Sequence, residues 1–217
     1  MLLCSSASVV AGFNLPEPIG VPITRRENCT RRPVRTSDGE CADVHKVLSW
    51  RHYPGLMLLY LHGADGFYED GPLASGLAEE TGSQLMMPHL PNEDMSFEGW
   101  AAPVRQALGA LGPDDLVAGH SFGGSILVKV LAEQIWPVRQ ALLLAMPNWG
   151  ADGWDVLEYR LDGRMPQQSL SLHHCADDAV VPLSHLALNS ADLPTASVKV
   201  HATGGHQFDG QIAALLV

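Results

Sequence analysis

Val117-Ala118-Gly119-His120-Ser121-Phe122-Gly123-Gly124 is the stretch that decides how this chain is read. It sets the pattern G-x-S-x-G between an apolar run, 116–118, and a segment whose apolar residues Ile126, Leu127, Val130 and Leu131 recur at helical spacing. The periodicity predicts a strand running into Gly119 and a helix over 122–134. A serine at such a junction occupies a sharp turn with strained backbone angles. Only small residues beside it let strand and helix approach closely. The turn lifts the hydroxyl above the sheet and aims free helix N–H groups at any negative charge developing there. Ser121 is therefore the candidate nucleophile. A glycine-rich turn with an incidental serine is the bland alternative, and the elements on both sides weigh against it.

Outward from that turn, the chain from about residue 44 alternates short apolar runs with helical patterns, the signature of parallel βα units. Residues 56–61 (LMLLYL) are nearly all apolar, as a central strand covered on both faces requires. Further strands are predicted at 84–87, 141–145, 169–174 and 198–201. Helices are predicted at 72–81, with Pro72 in its tolerant first turn, at 97–111, and at 209–217. The expected class is α/β, with a mostly parallel central sheet, helices on both faces and a minimal cap. Only about 22 residues separate the strand ending near Met146 from the one starting near Ser169, too few for a cap domain. That insert carries Trp149, Trp154 and Tyr159, candidates for the lining of a shallow substrate pocket. At 217 residues the chain fits one domain, 1–217. Residues 1–43 are atypical in composition and are expected to supply edge strands or a flap.

Composition narrows the function classes. With 13 basic against 24 acidic residues and a net charge of −11, the chain lacks the basic stripe that nucleic acids require, so no nucleic-acid partner is expected. The one basic cluster, 25–35, is interrupted by Glu27 and reads as a solvated segment. No run approaches the roughly 20 apolar residues of a membrane span, so no membrane partner is expected. Residues 1–13 lack a positive n-region, which disfavours a signal peptide. The sequon Asn28-Cys29-Thr30 would matter only in a secreted protein, and Cys4, Cys29, Cys41 and Cys175 are too scattered for a disulfide framework. A reduced, cytoplasmic setting follows. His173-His174 is not completed by other ligands at metal-binding spacing, and neither a P-loop nor a dinucleotide fingerprint occurs, so no metal and no cofactor are expected.

Three further motifs flank the serine. Leu61-His62-Gly63-Ala64-Asp65-Gly66 directly follows the first apolar strand. His174-Cys175-Ala176-Asp177-Asp178-Ala179-Val180-Val181-Pro182 ends another, and His201-Ala202-Thr203-Gly204-Gly205-His206 follows the last. Together with the serine turn they resemble the α/β-hydrolase superfamily over residues 44–217, in the chain order Ser…Asp…His that this fold uses. The resemblance implies Ser121 as nucleophile, His206 as general base, and an oxyanion hole formed by the N–H groups of Ala64 and Phe122. Its register, an acid three residues before a Val-Pro step, selects Asp178 over the solvated Asp177. His62 then reads as a structural hydrogen-bonder of the loop rather than a base.

Met87-Pro88-His89-Leu90-Pro91-Asn92, followed by Trp100, is loosely similar to small lidless serine hydrolases related to retinoblastoma-binding protein 9 and to the dienelactone-hydrolase branch. The implied activity is cleavage of a small-molecule carboxyl ester through an acyl-enzyme. Thioesterase, peptidase or acyltransferase chemistry by the same triad, and a non-catalytic binding protein of the same fold, are the rival readings. Acidic residues near the serine, Asp65, Glu69 and Asp70, are expected to disfavour anionic substrates.

Overall fold

The computed structural model describes residues 55–216, all within one compact unit, Leu48–Val217. The expectations for 1–43, and with them part of the single-domain reading, fall outside the described residues. Runs too apolar for a surface form the middle of one sheet. These are β1 (Met57–Leu61), β3 (Leu116–His120), β4 (Gln140–Leu144) and β5 (Ser169–Cys175), flanked by β2 (Gln84–Met86) and β6 (Ser197–His201). The strands are ordered β2-β1-β3-β4-β5-β6 and every pairing is parallel, with Leu59 beside Val117, Gly119 beside Leu143 and Leu144 beside His173.

Side chains alternate across the sheet, so each central strand feeds two cores. Leu59, Leu61, Val117, Leu143 and Leu172 pack on one face against α2 (Phe97–Leu108), α3 (Ser121–Leu131) and α4 (Ser184–Asp192). Leu58, Tyr60, Ala118 and Leu144 pack on the other against α1 (Gly71–Thr81) and Leu215 of a closing 3₁₀ turn. Several ends differ from the sequence expectation. The helix expected over 97–111 stops at Leu108, and the one expected over 122–134 stops at Leu131. The closing element is a 3₁₀ turn, Ile212–Leu216, rather than a helix over 209–217. Helix α4 fills the gap between the last two strands. The 28 residues from Asp178 to His206 leave room for this helix and β6, and its inward face is partly polar because His185 and Asn189 are among its buried residues.

The chain leaves β1 outward to β2 and then crosses back to β3, so the topology reverses between β1 and β3. In open parallel sheets the carboxyl ends of the strands at such a switch point form the natural ligand crevice. Here those ends are Leu61 and His120, the residues just before the His62-Gly63 loop and Ser121. A second cavity of about 330 Å³ lies among the first residues of the strands, beside Leu116, Gln140, Ser169 and Ser197, at the opposite edge. No helix among the described residues is long and apolar enough to cross a membrane.

Candidate active site

Ser121 opens α3 with φ at +50°, a left-handed conformation that costs a non-glycine residue about 1–3 kcal/mol and persists only where its surroundings enforce it. The neighbouring glycines supply the enforcement. A Cβ on Gly119 would lie 2.7 Å from Cα of Gly124, and one on Gly123 would lie 2.3 Å from the carbonyl oxygen of His62. Strand, turn and helix thus touch backbone to backbone, and the N–H of Phe122, in the first turn of α3, has no partner within its helix.

Two loops bring acid and imidazole together. Asp178 follows β5, and its side chain is fully buried. Its Oδ1 accepts the N–H groups of Val180 and Val181 at 2.8 and 3.0 Å, while Oδ2 stands 2.8 Å from Nδ1 of His206. Burial alone would raise the carboxyl's pKa, but the hydrogen bonds from His206, Val180 and Val181 outweigh it and hold it below the usual value. Asp177 points elsewhere. It accepts the N–H groups of Gly205 and Gly204 at 2.8 and 3.2 Å, so it is not merely solvated but ties down the loop that carries His206.

The loop after β1 closes over the serine. A Cβ on Gly63 would stand 3.1 Å from Cβ and 3.6 Å from Oγ of Ser121. Gly63 N–H donates to Asp70 Oδ2 at 2.8 Å and Asp65 N–H to Asn92 Oδ1 at 3.0 Å. Between them, no acceptor among the described residues engages the N–H of Ala64. His62 braces this loop, with Nδ1 2.7 Å from the carbonyl of Gly63 and Nε2 accepting the N–H of Leu90 at 3.0 Å. Trp100 in turn donates to the carbonyl of Pro91 at 2.7 Å. The 87–92 motif is therefore the outer brace of the loop, a role that its residue types did not announce.

Ser121, His206, Gly63, Ala64 and Phe122 all line one cavity of about 340 Å³, at the lower end of small-ligand sites. Trp149 and Trp154 line it too, with Tyr159, Met95 and Val180, and no Lys or Arg among the described residues does. Trp149 is held edge-on to Tyr159, centroids 4.8 Å apart, and its Nε1–H donates to Ser125 at 2.8 Å. Tyr159 is pinned by its hydroxyl to the carbonyl of Met95 at 2.6 Å. The acidic rim needs one correction. Asp65 and Glu69 are exposed as expected, but Asp70 is 1% exposed and its carboxylate is taken up by His120, Gly63 and Gln207, so it presents little free charge to a ligand. Among the described residues, no group of three or more His, Cys, Asp or Glu side chains is arranged to hold a metal ion.

The sequence matches no known protein family and no curated protein. Solved structures resemble it in backbone. The mouse alpha/beta hydrolase domain-containing protein 10 superposes with a TM-score of 0.58 at 15% identity, over 76% of this chain and 88% of its own. Est1E from Butyrivibrio proteoclasticus gives 0.56 at 12% identity, over 74% and 84%. A methylesterase from Arabidopsis gives 0.56 at 14% identity, over 74% and 97%. At such identities the likeness establishes the fold: the chain has the α/β-hydrolase fold.

Proposed function

We propose that this α/β-hydrolase-fold chain is a serine hydrolase that cleaves small carboxyl esters through an acyl-enzyme. One observation carries the reading. A serine with φ at +50° heads a helix at the switch point and shares a cavity with an imidazole whose Nδ1 is held at 2.8 Å by a buried carboxylate. In this reading His206 takes the Ser121 proton through Nε2 as Oγ attacks the acyl carbon, while Asp178 fixes the tautomer and stabilises the imidazolium. The oxyanion lies between the uncommitted N–H groups of Ala64 and Phe122. His206 then returns the proton to the leaving alcohol. Water, deprotonated by the same imidazole, releases the acid. The aromatic walls favour an apolar acyl group, and the volume of about 340 Å³ limits its length.

A fluorophosphonate probe tests the nucleophile, because it reacts only with an activated serine. Wild-type protein should be labelled at Ser121 and should hydrolyse p-nitrophenyl acetate. Ser121→Ala should lose both while keeping its circular dichroism. Across a series of p-nitrophenyl acyl chains, kcat/KM should decline beyond about six to eight carbons, the length a pocket at the small end of the range can bury. An unlabelled wild type, or activity in Ser121→Ala within tenfold of wild type, removes the proposal.

A further inference from the structure

Directly behind the nucleophile sits a second carboxylate–imidazole pair that the mechanism above does not use. Asp70 and His120 are each 1% exposed. Oδ2 of Asp70 lies 2.8 Å from Nδ1 of His120 and accepts the N–H of Gly63 at 2.8 Å, while Oδ1 accepts from Nε2 of Gln207 at 3.0 Å. On its other side, Nε2 of His120 lies 2.9 Å from the carbonyl oxygen of His206. A carboxylate and a carbonyl are both acceptors, so both ring nitrogens of His120 face an acceptor and neither is left to solvent.

Three segments distant in sequence meet on this pair. They are the loop bearing Ala64, the turn bearing Ser121, and the loop bearing His206, whose ring lies 4.5 Å, centroid to centroid, from that of His120. Asp70 stands at the N-cap of helix α1, where an aspartate would ordinarily cap the free N–H groups. Yet its side chain makes no cap bond and is turned inward to the site. Burying a carboxylate carries a desolvation cost that its partners seldom repay in net stability over an apolar replacement, so fold stability does not by itself account for this pair.

We propose that Asp70 and His120 act together as a positioning unit, holding the oxyanion loop and the backbone of His206 in register with Ser121. His206 is thereby fixed twice, by its ring through Asp178 and by its carbonyl through His120. Gly63 is fixed so that the next amide, that of Ala64, is left for the oxyanion. The inference rests on the proposed roles of Ser121, His206 and Ala64. Its failure is distinguishable from theirs, because it is read only in a wild type that labels at Ser121 and turns over.

The test measures kcat per fluorophosphonate-titrated site, KM and urea midpoint for Asp70→Asn, His120→Gln and the double variant. Each single change should lower kcat per site by about 10- to 100-fold, the effect of a displacement near 1 Å, with KM within about threefold. The double variant should lose no more than about threefold beyond the worse single one, since the two act as one unit. A purely structural pair would lower the titratable fraction and the midpoint but leave kcat per site within threefold, and that result overturns the proposal. Losses that multiply in the double variant overturn the unit. Should these variants fail to fold, Gly66→Ala decides by the same kcat readout. Its Cβ would press on the Asp70 carboxyl at 3.1 Å without removing any charge, and unchanged turnover there would count against positioning.

Discussion

A single carboxylate can be told from its neighbour by what its oxygens touch. Asp178 is sealed from water, takes two backbone N–H groups on one oxygen and faces His206 with the other. Asp177, one residue away, spends its oxygens on Gly204 and Gly205 at the surface. Replacing Asp178 by Asn should cost up to about four powers of ten in kcat, because the imidazole loses the partner that sets its tautomer. Asp177→Asn keeps one acceptor for the glycine amides, so it should cost about tenfold or less. A ratio below about a hundredfold between the two variants, measured on p-nitrophenyl acetate, would show that both act through the loop alone. The serine, the histidine and this aspartate were legible because each sits in a short motif with its own chemistry. Asp70 and His120 were not. Asp70 looks like any acid before a Gly-Pro helix start and His120 like the variable residue of G-x-S-x-G, and only the fold brings them within 2.8 Å.

Elements meet here at distances that leave no room for side chains, which is why the glycines of the serine turn specify more than flexibility. Helix α3 crosses the end of β1 so closely that a methyl group on Gly123 would stand 2.3 Å from the carbonyl oxygen of His62 and 2.5 Å from that of Leu61. Neither oxygen is the far end of a flexible side chain, so helix and strand must separate. Gly123→Ala should therefore lower stability by about 1–3 kcal/mol, the usual range for overpacking, and should cost turnover in excess of that by shifting Ser121 against Gly63. Paired urea-unfolding and kcat measurements check this, and wild-type values for both would mean that the contact is looser than the geometry states. At this scale, strands were easier to read from sequence than helices. β1 is buried on both faces and prints its apolar character without interruption, and β3 does so over 116–118, before Gly119 and the buried His120. Helix α4 buries His185 and Asn189, which bind the backbone N–H of Asn148 and the carbonyl of Met146, so its inward face looks polar in the sequence.

The molecule as a whole carries histidines in its interior, and their burial ties stability to pH. His173 on β5 and His201 on β6 stack with ring centroids 5.3 Å apart and share a 3.0 Å contact between Nδ1 and Nε2, while Ser171 holds the other nitrogen of His173 at 2.6 Å. Burial first, then the proximity of His201 and Lys199, pushes the pKa of His173 down to about 4, and burial lowers His201 and His62 as well. Unfolded, a histidine titrates near 6.5. Between those two values the unfolded chain binds more protons than the folded one, so stability rises with pH through that window. It is fully present above about pH 6.5, falls as the pH drops toward 4, and loses nothing further from His173 below that. Asp70 and Asp178, both held below the usual carboxylate range, contribute stability of the opposite origin that is lost only under more acid conditions, below about pH 4. Acid weakening should thus begin with the histidines. Unfolding free energy from urea titrations should be lower at pH 5 than at pH 7.5 by roughly 1–2 kcal/mol. His173→Gln, which retains hydrogen-bonding groups toward Ser171 and His201 but cannot titrate, should flatten most of that slope. A free energy constant from pH 7.5 to 5, or a slope unchanged in the variant, would remove His173 as its source. The location gives the effect a functional edge. β5 and β6 end in the loops of Asp178 and His206, so the buried histidines whose protonation the fold resists stand on the two strands that lead into the loops of the imidazole and its carboxylate.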